Sequence, residues 1–191
     1  MKFTCEKYLL SLAVATAGRA AASKSPIPAM EGLLIEAGHN VRVTGYDLKK
    51  GIYTTFEADV SAPGSVVINA KLFGDIVRKL PDDMVTVSVD PELQVSIKGG
   101  GSSFKITAMD AEDYPELPDV NGKSGVTMPQ SALKAMISGT IFSVSENQAR
   151  PIQTGCLMEV TEDSVPMVAV DSFRLARRTW HTENAANHTL K

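Results

Sequence analysis

Gly122-Lys123-Ser124 has the residue types that close a phosphate-binding loop. Such a loop needs a glycine five positions earlier, so that backbone amides can approach a phosphate, and a helix directly after. Leu117 stands in the glycine's place, within a proline-rich stretch, and a phosphate loop is not expected. Gly99-Gly100-Gly101 lacks G-x-G-x-x-G spacing and suits a hairpin turn. The three histidines, His39, His181 and His188, have no cysteine or carboxylate cluster at ligand spacing, which argues against a metal centre. Asp47 and Asp171 could serve as an acid/base couple. They hold equivalent places in a repeat described below, however, so each is expected to cap a turn in its own half-domain. Cys5 and Cys156 are too few for a disulfide framework and show no CxxC spacing; they read as reduced core thiols. Asn187-His188-Thr189 would accept a glycan only in a secreted protein. No serine, cysteine or histidine sits in a nucleophile context. The expectation is therefore no catalytic residue, no metal and no cofactor.

Charge on helices is the stronger signal. Phe73, Ile76, Val77 and Leu80 fall at i, i+3, i+4 and i+7, stopped by Pro81, with Lys71, Asp75, Arg78 and Lys79 opposite them. Leu9, Leu10, Ala13, Val14 and Ala17 give an earlier helix that carries Lys7. A third helix opens at Thr127-Met128-Pro129-Gln130, which reads as a capping box with proline at the first helical position. It continues through Leu133, Met136, Ile137 and Ile141 and carries Lys134. Arg19, Lys24, Lys49 and Lys50 cluster around the first loops. If equivalent helices share one side of a sheet, a chain of net charge −3 presents a local basic face suited to phosphates.

Between the helices the hydrophobic period is two, as in antiparallel strands with one wet face. Strands are expected near 2–4, 32–37, 40–46, 52–58, 65–69, 84–90, 92–98, 103–108, 125–128, 154–161, 164–170 and 175–182. Asp90-Pro91-Glu92 and the triple glycine supply hairpin turns. The order gives βαβββ three times, with helices starting near 5, 70 and 129, spacings of 65 and 59 residues. A repeat of this size indicates one module reused. The segment from Pro28 to Glu36 aligns with Pro151 to Glu159 at an offset of 123, and Tyr46-Asp47-Leu48 with Val170-Asp171-Ser172 at 124. Two units then make a domain of residues 1–119. An extended linker from Asp110 to Lys123 follows, and 120–191 is the first half of a second domain.

The 191 residues are 43% hydrophobic and 21% charged, the balance of a water-soluble globular protein. No apolar run is long enough for a membrane span, and Met1-Lys2-Phe3-Thr4-Cys5-Glu6-Lys7 is no signal peptide. A cytoplasmic protein without membrane contact is expected.

Several segments resemble the bacterial sliding clamps, the DNA polymerase III beta subunits. They are Met1-Lys2-Phe3-Thr4, Pro26-Ile27-Pro28 with Gly32-Leu33-Leu34, Thr44-Gly45-Tyr46-Asp47-Leu48, and the helix from Ala70 to Pro81. Asp113-Tyr114-Pro115-Glu116-Leu117-Pro118 and Val170-Asp171-Ser172-Phe173-Arg174-Leu175-Ala176 complete the set. The resemblance implies an α+β DNA-clamp fold of repeated βαβββ units, with antiparallel sheets outside and helices on one face. It implies a non-catalytic processivity clamp, a homodimer ring that encircles duplex DNA regardless of sequence. Such a ring tethers the replicative polymerase and the clamp loader through clamp-binding peptides. On that map Lys24, Lys71, Arg78, Asn147, Gln148 and Arg150 face DNA. Gln153, Val170, Ser172, Phe173, Arg174 and Leu175 form part of the peptide pocket, and Lys71, Phe104, Lys105 and Ile106 belong to the dimer edge. Phe104 and Ile106 are expected to form an exposed sheet edge. The rest of the second domain and a third domain have no counterpart in these residues, and Pro151 and Ile152 stand where many relatives carry tyrosine. The competing class is a non-catalytic protein-interaction or small-ligand-binding α+β domain, whose helix charges only solvate it.

Overall fold

The period-two stretches before Pro118 pair into two antiparallel sheets that interlock. A computed structural model describes residues 1–81, 84–118 and 126–181, and the chain divides into a unit Met1–Pro118 and a unit Asp119–Lys191. The first unit runs β1 (Lys2–Glu6), α1 (Lys7–Ala17), β2 (Gly32–Ala37), β3 (Val41–Tyr46), β4 (Gly51–Phe56), β5 (Asp59–Ala62) and β6 (Gly64–Asn69). It continues with α2 (Ala70–Lys79), β7 (Met84–Val89), β8 (Gln94–Gly99) and β9 (Ser102–Thr107). One sheet has the order β5-β1-β7-β8-β9, the other β4-β3-β2-β6. The opening strand of each βαβββ repeat therefore joins the three strands of the other repeat: β1 pairs with β7, and β6 with β2.

This exchange places both helices and the inner faces of both sheets around one core. Phe3, Leu10, Leu33, Ile35, Phe73, Val87 and Ile97 are all fully buried there, and each such side chain contributes about 1.5–3 kcal/mol relative to exposure. The end of α1 lies so close to β3 that a Cβ on Gly45 would sit 2.1 Å from the Ala17 carbonyl oxygen. Asn69 caps α2, its side-chain oxygen accepting from the Leu72 amide at 3.0 Å. The expected hairpin turns form: Asp90 Oδ1 accepts from the amides of Glu92 and Gln94. Gly100 and Gly101 take φ of 49° and 83°, which favours glycine.

The second unit has α3 (Gln130–Ser138), β10 (Leu157–Met158), β11 (Ser164–Val170) and β12 (Leu175–His181), with sheet order β10-β11-β12. Met136, Val165 and Met167 are its buried centre, with Leu133 and Trp180 packed against them.

Several expectations are corrected. β5 is an additional strand on the edge of its sheet; Asp59-Val60-Ser61-Ala62 does alternate, but over only four residues. Residues 126–128 form no strand. The capping box is absent: Pro129 is the N-cap rather than the first helical residue, so the helix begins one residue later than expected, and no side chain caps it. Helix α3 stops at Ser138 with Gly139 as its C-cap, so Ile141 lies in a following 3-10 turn and is 53% exposed. The strand expected at 154–161 shortens to two residues behind a 3-10 turn, Pro151–Thr154. The third repeat is thus incomplete among the described residues. Strand β9 is a sheet edge, as expected, but Phe104 and Ile106 are half-buried rather than exposed. They lie across from the fully buried Ile97 and Val95, so the pleat turns them inward, while Ser103, Lys105 and Thr107 face out. The Gly122-Lys123-Ser124 triplet, the domain junction at 119/120, Gly125, His188, the Asn187-His188-Thr189 sequon and the end of the last strand at Thr182 lie outside the described residues.

Candidate nucleic-acid and partner interface

In the first unit the two helices lie side by side. Gly74 of α2 faces α1: a Cβ there would meet Val14 Cγ1 at 3.6 Å, an ordinary contact, so the approach does not depend on the glycine. Between the helices runs a shallow groove of about 250 Å³, bordered by Ser11, Ala15, Lys71, Asp75 and Arg78. Lys71 and Arg78 are exposed, and Arg78 is ion-paired with Asp75 one turn earlier. Arg78 and Lys79 occupy the last turn of α2, where cations complement the helix dipole. Lys24 is exposed in the loop after α1. This helical surface also exposes Tyr8, Leu12 and Leu72, 70%, 53% and 45% accessible. Sequence reasoning sought basic residues and passed over these three, although Tyr8 and Leu12, at i and i+4, signal an apolar strip opposite the buried face.

In the second unit a cleft of about 660 Å³ gathers residues assigned to two different tasks. Asn147 and Arg150, expected at DNA, line it together with Gln153, Ser172, Phe173 and Arg174, expected in the peptide pocket. Gln148 is exposed but does not line it. Val170 and Leu175 pair across the β11–β12 turn and remain accessible at 37% and 68%. Phe173 is 96% exposed, and Phe142 and Ile141 add further apolar surface. Phe142 was missed because the helical pattern was carried past Gly139; a glycine after the last helical turn is the signal that would have found it.

The turn that presents Phe173 is built by Asp171. Its Oδ1 accepts from the amides of Phe173 and Arg174, and its Oδ2 from Arg174 Nε and Nη2 at 2.9 and 2.8 Å. These bonds, led by the Phe173 amide and the Arg174 side chain, hold its carboxyl below the ordinary aspartate range. Asp47 does the same in the first unit. It accepts from the Lys49 and Lys50 amides and from Lys50 Nζ, and the Lys50 bonds lower its pKa to about 2. Both aspartates cap turns, as expected, and the Arg174 guanidinium is committed to Asp171. Asn147 is similarly engaged: its Oδ1 accepts from the Ala149 amide at 2.9 Å. The residues expected at a dimer edge divide between elements, Phe104, Lys105 and Ile106 on β9 and Lys71 on α2. Among the described residues no group of three or more His, Cys, Asp or Glu could hold a metal ion, and no helix is long and apolar enough to cross a membrane.

Residues 1–118 match the family description "DNA polymerase III beta subunit, N-terminal domain", and residues 127–190 match its central domain. The chain belongs to this family. It is 34% identical over 187 residues to the beta sliding clamp of Bacillus subtilis, covering 93% of this chain and 50% of that protein. To the beta sliding clamp of Synechocystis it is 32% identical over 185 residues, covering 92% and 47%. The fold is that of the clamps: a putative DNA polymerase III beta subunit from Eubacterium rectale superposes with a TM-score of 0.93 at 29% identity, over 96% of this chain and 51% of that one. The Bacillus subtilis sliding clamp structure gives 0.91 at 33% identity, over 95% and 50%. The chain spans about half the length of the relatives it matches.

Proposed function

We propose that these residues form the leading half of a sliding clamp. The whole would be a non-catalytic ring of two copies that encircles duplex DNA and tethers the replicative polymerase and clamp loader through their clamp-binding peptides. On this reading 1–119 is the first clamp domain and 120–191 the first half of the second, and the protein works in the cytoplasm without metal or cofactor. The α1–α2 pair is the observation that supports it most. Two helices from equivalent repeats share one surface, with Lys71 and Arg78 exposed on it, in a chain of net charge −3. Cations so placed attract phosphates without reading bases. Individually such contacts are weak, and a closed ring converts them into a durable hold.

Lys24 extends this DNA surface in the first unit, and Asn147, Gln148 and Arg150 extend it in the second. Gln153, Val170, Ser172, Phe173, Arg174 and Leu175 supply part of the floor for a clamp-binding peptide. Phe173 and Leu175 offer the apolar contact, while Arg174, held by Asp171, keeps the turn in shape. The dimer edge is β9 with Lys71. Because Phe104 and Ile106 serve their own core, β9 offers a partner its backbone and the outward Lys105.

The test uses the longer protein that contains these residues, loaded onto nicked circular duplex. It should remain bound through a high-salt wash and be lost once the circle is cut. Equal retention on circular and linear DNA would contradict the ring.

A further inference from the structure

The second unit repeats the first half of the first unit, and side chains that the first unit buries stand open in it. At the offset of 123 residues Phe3, Thr4 and Cys5 correspond to Val126, Thr127 and Met128, and the N-cap Glu6 to the N-cap Pro129. At the same offset Val14 corresponds to Ile137 and Ile35 to Met158. Where the neighbours belong to the same repeat the match holds: Val41 and Val43 are buried, and so are their counterparts Val165 and Met167, one residue further along. It fails at three places. Phe3, Val14 and Ile35 are buried, whereas Val126 is half-buried and Ile137 and Met158 are 40% and 37% exposed.

In the first unit all three are covered by the other repeat. Phe3 pairs with Val87 of β7 and Ile35 with Val66 of β6, and Val14 lies beside Gly74 of α2. The exchange is reciprocal. Aligning the N-caps Glu6 and Asn69 makes Phe3 equivalent to Val66 and Cys5 to Ile68, and each opening strand pairs with the first strand after the other repeat's helix. A single repeat therefore carries both halves of the contact, a strand to give and an edge to receive one. The second unit has both, residues 126–128 and β10. Among the described residues neither is so engaged: 126–128 form no strand, and β10 pairs only with β11. Residues 182–191 are too few to supply both a strand for β10 and a helix for Ile137.

We propose that a second copy of the chain completes this surface, two second units joining about a two-fold axis by reciprocal exchange of their opening strands. Such a contact is self-complementary, the same patch serving on both copies. The first-unit register carries over. Ile35 faces Val66 and Leu33 faces Ile68, so Met158 faces Val126 of the second copy, Leu157 its Thr127 and Cys156 its Met128. The two α3 helices then pack as α1 and α2 do, and Ile137 is covered as Val14 is. Lys134 stands where Ser11 borders the α1–α2 groove, so two lysines meet near the axis, their heads reaching water along the groove. Apolar burial drives the dimer and the lysine pair opposes it, so salt strengthens the association. The inference rests on the repeat and not on the DNA reading. A longer chain with its own second repeat would fill the same surface from within; the dimer belongs to the 191-residue chain.

Sedimentation equilibrium of the 191-residue chain over about 1–100 µM, where a standard-sized interface titrates, should show monomer passing to dimer. The dimer should be tighter at about 0.5 M salt than at about 0.05 M. Met158→Lys and Ile137→Lys should each weaken it at least about tenfold, since each puts a charge into the contact. Both should leave the Tm at the dilute end nearly unchanged, because both positions meet water in the single chain. Thr127→Cys with Leu157→Cys, on a Cys156→Ser background, should give a disulfide-linked dimer on oxidation, and neither cysteine alone should. Directly opposed strand residues have Cα atoms about 4.5–5.5 Å apart, within disulfide reach. A chain that stays monomeric throughout would overturn the proposal, as would a dimer that salt disperses or that both lysine variants leave intact. A wild-type dimer whose cysteine pair does not cross-link would overturn it as well.

Discussion

Strand β2 and its repeat counterpart, residues 155–160, share a sequence pattern and differ in structure. Gly32–Ala37 forms a six-residue strand between two neighbours, whereas Gly155-Cys156-Leu157-Met158-Glu159-Val160 yields only the two paired residues of β10. Ile35 is fully buried, while Met158, at the same repeat position, is 37% exposed. A Cβ on Gly32 would fall 2.5 Å from Val67 Cγ1, whereas one on Gly155 would meet nothing within 4 Å. The cause is β6, which crosses from the second repeat to pair with β2; no described strand flanks β10 on that side. The pattern sets which residues can be strand, and the neighbour decides how much of it becomes strand.

Truncation at the paired positions gives the largest contrast. Ile35→Ala should cost about 2–5 kcal/mol, the range for a buried Ile in a closed core. Met158→Ala should cost under about 1 kcal/mol, because it already touches water. Urea unfolding measures both; equal losses would mean that β10 is as enclosed as β2. Next come the glycines. Gly32→Ala forces a methyl against Val67 and the Ala29 carbonyl and should cost about 1–3 kcal/mol, whereas Gly155→Ala should be near neutral. A destabilised Gly155→Ala would show that its surroundings are already filled.

The exposed turns give the smallest effect. The folded pKa of Asp47 is depressed to about 2, so its contribution is present above the unfolded value, near 4, and is lost as pH falls through about 2. Asp171 is shifted in the same direction. Asp47→Asn should thus lower Tm slightly at pH 7, by an amount that shrinks as pH falls through about 2, and the effect of Asp171→Asn should likewise shrink on acidification. A Tm difference that does not shrink on acidification would assign the effect to geometry rather than charge.

Much of this was legible in the residues. The alternations at Val41–Val43 and Val85–Val89 predicted their strands because one face of each packs on a core whatever its neighbours. Asp47 and Asp171 were legible as turn caps because an Asx turn is made within four residues. The third helix was read too long because Ile141 continues the apolar period beyond Gly139, and periodicity outweighed a stop signal. The inward turn of Phe104 depended on the β8 register, which alternation within β9 alone does not fix. The burial of Thr44 was invisible for another reason. Arg42 and Thr44 read as the wet side of a strand, and only the return of Tyr114, 70 residues later, buries Thr44.

The most direct measurement is the salt dependence of duplex DNA binding by this chain and by its Lys71→Ala/Arg78→Ala double variant. Binding should be independent of sequence, weaker than about micromolar at physiological salt, and steeply salt-dependent. Each phosphate neutralised adds roughly 0.9 to the slope of log K against log salt, so the double variant should flatten it by about two. Arg78 is shared with Asp75, so Lys71→Ala alone should account for the larger part. An unchanged slope in the double variant would mean that the α1–α2 surface does not face DNA, and would contradict the clamp reading of this unit.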